Sequence, residues 1–402
     1  MFPQPLCLGV LVVKKILAAT AVALLVVWVG AHIERFVNRV VPVALPGVSE
    51  TGRRLHASSF VVDLHADSLL FGRDLLQRST VGHVDLPRLQ DGGVALQVFT
   101  ATTKTPLGFN VDRTDGNRLD LLTLVGIAQL SPRFARGPYQ RALLQAERLQ
   151  DFIARSNGQL VAVRSGADLA ALVQRHAAAP LTVGGMLGIE GAHALDGDPA
   201  NVDVMFQAGY RMIGPAHFFD NEFAGSAHGL EKYGLTDKGR QMIRRMEALG
   251  MLVDLAHSSS QTIDDVLAMT TQPVVDSHSG VRGTCDNVRN LSDEQIRGIA
   301  RTGGVIGIGY WDTAVCGTEM RYVTAAMRYV MNLVGDDFIA LGSDFDGATA
   351  PGFDTSRLPS LTQQMLNDGF SEQSIGKILG GNALRVLRQV LPAQSKNVTS
   401  DR

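Results

Sequence analysis

Short apolar runs rich in β-branched residues alternate with amphipathic helical patterns from residue 58 onward, and this alternation constrains the fold more than any other feature. Such alternation is typical of βα units that build a parallel sheet. The runs predicted as strands are 60–64, 94–100, 185–189, 210–215, 251–256, 273–277, 304–310 and 338–343. Eight βα units predict a (β/α)8 TIM barrel, which accommodates most of the 402 residues as one domain.

The stretch 101–182 is too long for a plain connection between a strand and a helix. Its amphipathic pattern from about 117 to 153 predicts a helical insertion over one side of the barrel, and the stretch has room for a further strand. Other parts of the sequence carry signals for the start of a helix. Thr236 is predicted to cap a helix, and Ser292 with Gln295 is predicted to form a capping box.

The N-terminal residues differ in composition from the rest of the chain. Lys14 and Lys15 precede the apolar run 16–31, which has no polar stripe, and charged residues return from Glu34 onward. A run of this length fits a signal anchor or a signal-peptide core. Because no small-x-small cleavage site follows it, residues 1–40 are predicted as a membrane-directed helix that anchors an exported, periplasmic or extracellular domain. A cleaved, secreted form is the alternative.

The other boundaries follow from composition. Residues 41–57 begin with a segment that contains two prolines and a glycine, and they are predicted as a linker. Residues 58–392 are predicted as the folded domain, and residues 393–402 as a polar tail.

Charge and cysteine content exclude several classes of protein. The formal net charge is -2, so the chain lacks the excess of basic residues that nucleic-acid binding requires. A small-molecule substrate is therefore expected. The three cysteines, Cys7, Cys285 and Cys316, show no CxxC spacing for a thiolate zinc site. Cys285 and Cys316 are the only pair considered for a disulfide, and they are expected to be unlinked thiols.

Ligand-type side chains end several predicted strands. His65 and Asp67 stand two residues apart, so they project to one side of the first strand. Glu190 ends the third strand in the motif GIEG at 188–191, whose glycines allow a ligand to approach closely, and its two carboxylate oxygens can bridge two cations. His257 and His278 end the fifth and sixth strands, and imidazole is a common zinc ligand. Each residue alone has an ordinary structural explanation, but their shared position at the active-site end of a barrel predicts a metal-dependent hydrolase.

Further polar residues follow neighbouring strands at the same rim. Asp344 is a candidate to hydrogen-bond a metal-bridging water and to carry its proton. His217 is a candidate to stabilise an oxyanion. Arg289 suits a substrate carboxylate, since its planar fork can bind both oxygens. An orienting partner for the histidines is expected from Asp254 or Asp276.

The set of motifs resembles the renal (membrane) dipeptidase family, a branch of the amidohydrolase-like barrels. The resemblance runs from about residue 58 to 391. The motifs that carry it are DLHAD at 63–67, GIEG at 188–191, DLAHSS at 254–259, DSHS at 276–279, GSDFDG at 342–347 and GNALR at 381–385. Each motif is weak alone, whereas the combination is specific.

The resemblance implies a zinc dipeptidase with two Zn²⁺ ions. By this resemblance His65 and Asp67 hold one ion, His257 and His278 hold the other, and Glu190 bridges them. The family hydrolyses dipeptides, tolerates a D-residue at the C-terminal side, and includes members that open β-lactams. Its members are often homodimers.

The same resemblance gives roles to the rim residues. His217, Arg289 and Asp344 match positions that engage the substrate, and Asp344 and Glu190 are the catalytic candidates. Arg282 lies in the same loop as Arg289, so loop length decides which arginine enters the site. The mammalian enzymes carry a C-terminal lipid anchor, whereas this chain has an N-terminal apolar segment.

Two alternative functions stay open. The first is another amidohydrolase-type activity, such as deamination or the hydrolysis of a cyclic amide or a β-lactam. A deaminase is disfavoured because strand one carries HxD instead of HxH, and a cyclic-amide hydrolase is disfavoured because the run 210–215 lacks a lysine for carbamylation. A membrane-tethered barrel without catalysis is disfavoured because all five metal-ligand candidates are present.

Overall fold

The computed structural model describes Lys15, Thr20 and residues 33–128 and 131–394. Most of the predicted membrane-directed helix in residues 1–40 therefore lies outside the described residues, as does the polar tail from residue 395. Among the helices that are described, none combines the length and the apolar character needed to cross a membrane.

The fold is built on a parallel sheet whose strands, in hydrogen-bonded order, are β6, β5, β4, β2, β1, β9, β8 and β7. A parallel bridge between Asp254 and Val275 joins the two ends of this order. This is the arrangement of a TIM-like barrel, and each predicted strand run overlaps a strand of the structure. The strands of the described chain are β1 Val61–Ala66, β2 Val94–Thr102, β3 Leu160–Ala162, β4 Val183–Glu190, β5 Tyr210–Ile213, β6 Leu252–Val253, β7 Val275–Ser279, β8 Val305–Ile308 and β9 Ile339–Leu341.

Helices surround the sheet and fill the connections between strands. The α-helices of the described chain are α1 Glu50–Ala57, α2 Leu86–Asp91, α3 Leu121–Ala128, α4 Pro138–Arg155, α5 Gly166–Ala178, α6 Asn201–Ala208, α7 Asp237–Leu249, α8 Ser260–Met269, α9 Asp293–Arg301, α10 Asp312–Val315, α11 Met320–Val334, α12 Leu358–Asn367, α13 Glu372–Gly376 and α14 Asn382–Val390. Thr236 caps α7, and Ser292 with Gln295 forms a capping box on α9, as the sequence predicts.

The insertion between β2 and β4 contains helices, as predicted, and also the short strand β3, which pairs with β4 outside the barrel order. Arg141 of α4 is fully buried and fastens the insertion to the barrel. Its Nε donates to the Phe134 carbonyl at 2.7 Å, and its Nη1 donates to the Thr103 carbonyl at 2.6 Å. The insertion is therefore held directly against the C-terminal end of β2.

The prediction of a linker over residues 41–57 is wrong for residues 50–57, which form α1. The Ser49 side chain caps this helix by accepting from the backbone N–H of Gly52 at 3.1 Å. Buried His56 then anchors α1 to the domain through Thr362 Oγ1 and the Gly92 carbonyl, each at 2.8 Å. The helix is short, and tertiary packing supplies the stability that a helix of this length lacks alone.

The expectation of unlinked thiols is also wrong, because Cys285 and Cys316 form a disulfide. Their Cα atoms lie 5.4 Å apart although 31 residues separate them in the sequence. The fold brings the loop after β7 against the end of α10, and no local sequence signal reports that approach.

Candidate metal centre

The five predicted metal ligands meet at the C-terminal end of the barrel strands. His65 lies near the end of β1, Asp67 follows that strand, Glu190 is the last residue of β4, His257 follows β6, and His278 lies in β7. All five are buried. The structure therefore brings together residues that span more than half of the chain.

Glu190 occupies the middle of this group. Its Oε1 lies 2.8 Å from His257 Nε2, 3.2 Å from His278 Nε2 and 3.6 Å from His65 Nε2. Its Oε2 lies 3.1 Å from His217 Nε2. Both carboxylate oxygens thus face imidazole nitrogens, which is the placement expected of a carboxylate that bridges two cations.

Asp67 and Asp344 complete the acidic side of the centre. Asp67 Oδ2 lies 3.7 Å from His65 Nε2, and Asp67 Oδ1 accepts from Thr100 Oγ1 at 2.8 Å. Three overlapping sets of side chains have ligand atoms within 4.8 Å of one another. The sets are His65 with Asp67 and Asp344, His65 with Glu190 and His278, and Glu190 with His217 and His257.

Ser277 determines which nitrogen of two histidines carries the proton. Its hydroxyl donates to Asp254 Oδ2 at 2.6 Å, and a hydroxyl has only one proton. Ser277 Oγ must therefore accept from Nδ1 of His65 at 2.9 Å and from Nδ1 of His278 at 2.8 Å. Each ring, when neutral, therefore presents an unprotonated Nε2 to Glu190. The expected orienting carboxylate is Asp254, and it acts through this serine.

The donor set fits a divalent metal. His65 Nε2 is buried without a hydrogen-bond partner among the described residues, and the Nε2 atoms of His257 and His278 lie only 3.0 Å apart. Lone pairs that face each other and a carboxylate repel unless a cation lies between them. Imidazole and carboxylate are ligands that suit zinc.

The pKa values of the side chains in the centre reflect a lack of positive charge among them. Burial, with a contribution from nearby Asp67, raises the pKa of Glu190 to about 8. Burial opposes the charged form of His65, but Asp67 and Glu190 outweigh it and raise the pKa of His65 to about 10. Burial lowers the pKa of His257 and His278 well below the usual range. Charges that attract a proton to His65 will equally attract a metal cation.

Two residues of the centre have backbone conformations that residues other than glycine rarely adopt. His257 has a φ of 62° and Asp344 a φ of 57°, in the left-handed region. Residues held in this region cluster at functional sites, where the surrounding structure enforces them.

The predicted substrate-binding residues line one cavity beside the five ligands. This cavity has a volume of about 460 Å³, within the range of small-molecule sites. His217, Arg289 and Asp344 all line it, whereas Arg282 does not. Arg282 instead donates from Nε to the Asn290 carbonyl at 3.0 Å. Arg289 is therefore the arginine of that loop that reaches the site.

Part of the cavity wall was not identified from sequence. The insertion contributes Phe109 and Val111, and Phe218 and Trp311 add further apolar surface. Two residues that hydrogen-bond the predicted ligands were also missed, Ser277 and His228. Ser277 stands next to the predicted ligand His278 in the sequence, and this adjacency could have identified it. His228 has no such signal, since only the fold brings it to the site.

Comparisons with known proteins point to one family. The family model for membrane dipeptidases, peptidase family M19, matches residues 49–401. The uncharacterized protein in the pqqA 5' region of Klebsiella pneumoniae is 32% identical over 257 residues, which cover 60% of this chain and 93% of that protein. Dipeptidase tcpJ of Claviceps purpurea is 29% identical over 322 residues, which cover 78% of this chain and 70% of that protein. The match to mouse dipeptidase 3, 29% identical over 225 residues, covers 53% of this chain and 46% of that protein.

Solved structures show the same fold. The probable dipeptidase PvdM from Pseudomonas aeruginosa superimposes with a TM-score of 0.71 at 20% identity, over 85% of this chain and 98% of that one. A metallopeptidase from Rhodobacter sphaeroides, liganded with a phosphinate mimic of L-Ala-D-Ala, gives a TM-score of 0.67 at 24% identity, over 83% of this chain and 100% of that one. The chain therefore belongs to the membrane dipeptidase family, peptidase family M19, and is a metallo-dipeptidase.

Proposed function

We propose that this chain hydrolyses dipeptides with two Zn²⁺ ions bridged by Glu190. His65 and Asp67 would hold one ion, and His257 and His278 the other. The observation that carries this assignment is the convergence of three imidazole Nε2 atoms on Glu190 Oε1 within 2.8–3.6 Å. When bound, such ions acidify water and polarise the carbonyl of the scissile bond.

Asp344 is proposed as the group that moves the proton. Burial raises the pKa of its carboxyl well above the usual range, and the neighbouring Asp67 and Glu190 act in the same direction. A raised pKa makes the ionised carboxylate a stronger base, so it can accept a proton from the attacking water, and the carboxyl group that forms can donate this proton to the leaving amine. Its position on the cavity wall permits both transfers.

His217 and Arg289 are proposed to bind the substrate. Burial lowers the pKa of His217 well below its usual range, so the ring is neutral and can donate one hydrogen bond to an oxyanion. The Arg289 guanidinium lies on the same wall and supplies the positive charge for a free carboxylate. The L-Ala-D-Ala mimic bound by the Rhodobacter relative supports a D-residue at the C-terminal position.

The test combines metal analysis with a substrate panel. We expect about two zinc equivalents per chain, loss of activity on chelation and recovery with Zn²⁺. The panel contains L,L- and L,D-dipeptides, a dihydropyrimidine and a β-lactam. Preference for the cyclic amide would contradict the dipeptidase assignment, and metal content near zero in folded protein would favour a barrel without catalysis.

The location of the enzyme is a separate proposal. We propose that residues 1–40 tether the domain, which spans about 58–392, to a membrane on its exported side and that the domain forms a homodimer. The Cys285–Cys316 disulfide supports an oxidising, extracytoplasmic compartment. Fractionation of cells that express the full chain tests the tether, and light scattering of the purified protein tests the dimer.

A further inference from the structure

His228 lines the cavity beside the proposed ligand His257 and contacts two distant parts of the chain. Its side chain is buried, with only 2% exposed. Its Nδ1 lies 2.6 Å from the Val111 carbonyl in the insertion, and its Nε2 lies 3.0 Å from Nδ1 of His257. The backbone N–H of Thr114 also donates to the His228 carbonyl at 2.6 Å. The insertion therefore holds both the backbone and the ring of this residue.

The partners of His228 determine where the protons lie. A carbonyl oxygen can only accept, so the single N–H of the neutral His228 ring is on Nδ1 and donates to Val111. The Nε2 of His228 then has a free lone pair. It accepts a hydrogen bond from the N–H on Nδ1 of His257. The Nε2 of His257, which lies 2.8 Å from Glu190 Oε1, is then unprotonated.

We infer that His228 is a positioning residue that fixes the tautomer and ring orientation of His257, so that His257 can bind one of the two metals. The inference rests on the proposed function. A ligand histidine usually donates its second N–H to a carboxylate, a carbonyl or water. Here a second imidazole replaces that acceptor, and the carbonyl of Val111 ends the relay.

The relay connects the substrate-binding wall to the metal centre. Phe109 packs edge-on against the His228 ring, with ring centroids 5.3 Å apart, and contacts the Phe218 ring at 4.2 Å. Phe109, Val111 and Phe218 all line the cavity. The insertion loop that lines the cavity therefore also contacts the residue that orients one proposed metal ligand.

Two substitutions separate the two hydrogen bonds of His228. His228→Gln places an amide oxygen near the former Nε2, so it keeps an acceptor for His257 and loses the bond to Val111. His228→Asn is one bond shorter, so it keeps a donor for Val111 and withdraws the acceptor from His257. The full-length unmodified enzyme and both full-length variants are stripped of metal, and each is titrated with Zn²⁺ against a chelating competitor.

We expect His228→Asn to weaken the binding of one zinc equivalent by about 10- to 100-fold while the other equivalent binds as before. We expect His228→Gln to stay within about threefold of the unmodified enzyme, since it restores the acceptor on which that affinity depends. His176→Asn is the matched control, because His176 also bonds a backbone carbonyl, Thr182 O at 3.0 Å, but lies on α5 away from the site.

Equal losses in His228→Asn and His228→Gln, or a loss confined to His228→Gln, would overturn the inference, as would unchanged affinity in both. Thermal unfolding of the metal-free variants shows whether each is folded before titration. Failure of the proposed function would instead appear as unmodified enzyme that binds two zinc ions but does not cleave dipeptides. The zinc affinities of the variants do not depend on that result.

Discussion

Ser277 hydrogen-bonds two of the proposed metal ligands. Its hydroxyl accepts from both His65 and His278 and donates to Asp254. Partners behind metal ligands set their orientation and basicity, and their loss typically lowers metal affinity. The geometry of both proposed ions therefore depends on one buried hydroxyl.

Replacing Ser277 with alanine should weaken both zinc equivalents by about 10- to 100-fold. It should also lower the free energy of unfolding by about 1–3 kcal/mol, because an oxygen of buried Asp254 loses its partner. Zinc titration and urea denaturation measure the two effects. Ser258→Ala is the control, since the buried Ser258 hydroxyl has no hydrogen-bond partner among the described residues. Zinc affinity that is unchanged in Ser277→Ala would show that Ser277 does not orient the ligands.

Arg289 is expected to bind the substrate carboxylate, in addition to donating to Ser279 Oγ and to the His278 carbonyl. Arg289→Ala is expected to raise KM for free dipeptides by about 10- to 100-fold, because a charge-assisted hydrogen bond contributes about 1.5–3 kcal/mol. Dipeptide amides should lose little. Steady-state kinetics on both substrate series measure the difference, with Arg282→Ala as a control whose side chain does not line the cavity. Equal losses on both series would remove Arg289 from this role.

At the scale of elements, the residues just after the apolar N-terminal run are attached to the loop that carries Asp344. Asn38 donates from Nδ2 to the Asp346 carbonyl at 3.1 Å and accepts from the Ala348 N–H at 2.8 Å. The backbone N–H of Val41 donates to the Pro351 carbonyl at 2.8 Å. The segment that follows the apolar run 16–31 thus braces the active-site loop.

This brace matters because the loop is conformationally unfavourable. Asp344, Asp346 and Ala348 all have positive φ, between 57° and 64°. Each such residue costs about 1–3 kcal/mol unless its surroundings enforce it. Asn38 supplies a donor and an acceptor to two of the backbone groups in this turn.

Asn38→Ala is expected to lower kcat about tenfold with KM and zinc content nearly unchanged, because Asp344 would lose its fixed orientation. Kinetics and metal analysis of the full chain measure this. Asn38→Asp is the matched variant, since it keeps the acceptor for Ala348 and should retain more activity than alanine. A kcat within twofold of the unmodified enzyme in Asn38→Ala would show that the brace does not position Asp344.

At the scale of the whole molecule, stability should depend on pH through His56, which connects α1 to the body of the domain. Burial lowers the pKa of His56 below its ordinary value of 6.5. The unfolded chain therefore binds a proton at a pH where the folded protein does not. This difference favours unfolding as pH falls below about 6.5, and it vanishes above that value.

The free energy of unfolding should therefore fall as pH is lowered from 6.5 toward 5, and His56→Gln should make this dependence shallower. Urea denaturation of the zinc-loaded enzyme at several pH values measures both slopes. The other histidines are common to both proteins, so the difference between slopes isolates His56. Parallel slopes would show that burial of His56 does not contribute.

The amino-acid sequence by itself determined the barrel and the ligand candidates. Strands alternate their side chains, and barrel sites lie at the C-terminal ends of strands, so His65, Asp67, Glu190, His257 and His278 were identifiable from local order. The caps at Thr236 and Ser292 were also local, since a cap and its helix are only a few residues apart.

Tertiary structure decided the features that join distant residues. The Cys285–Cys316 disulfide, the choice of Arg289 over Arg282 and the relay through His228 each depend on how loops meet in space. Helix α1 forms in the predicted linker because His56 packs against remote groups, which local propensity does not encode. Local pattern therefore specified which residues carry the chemistry, and long-range packing specified how their protons and side chains are oriented.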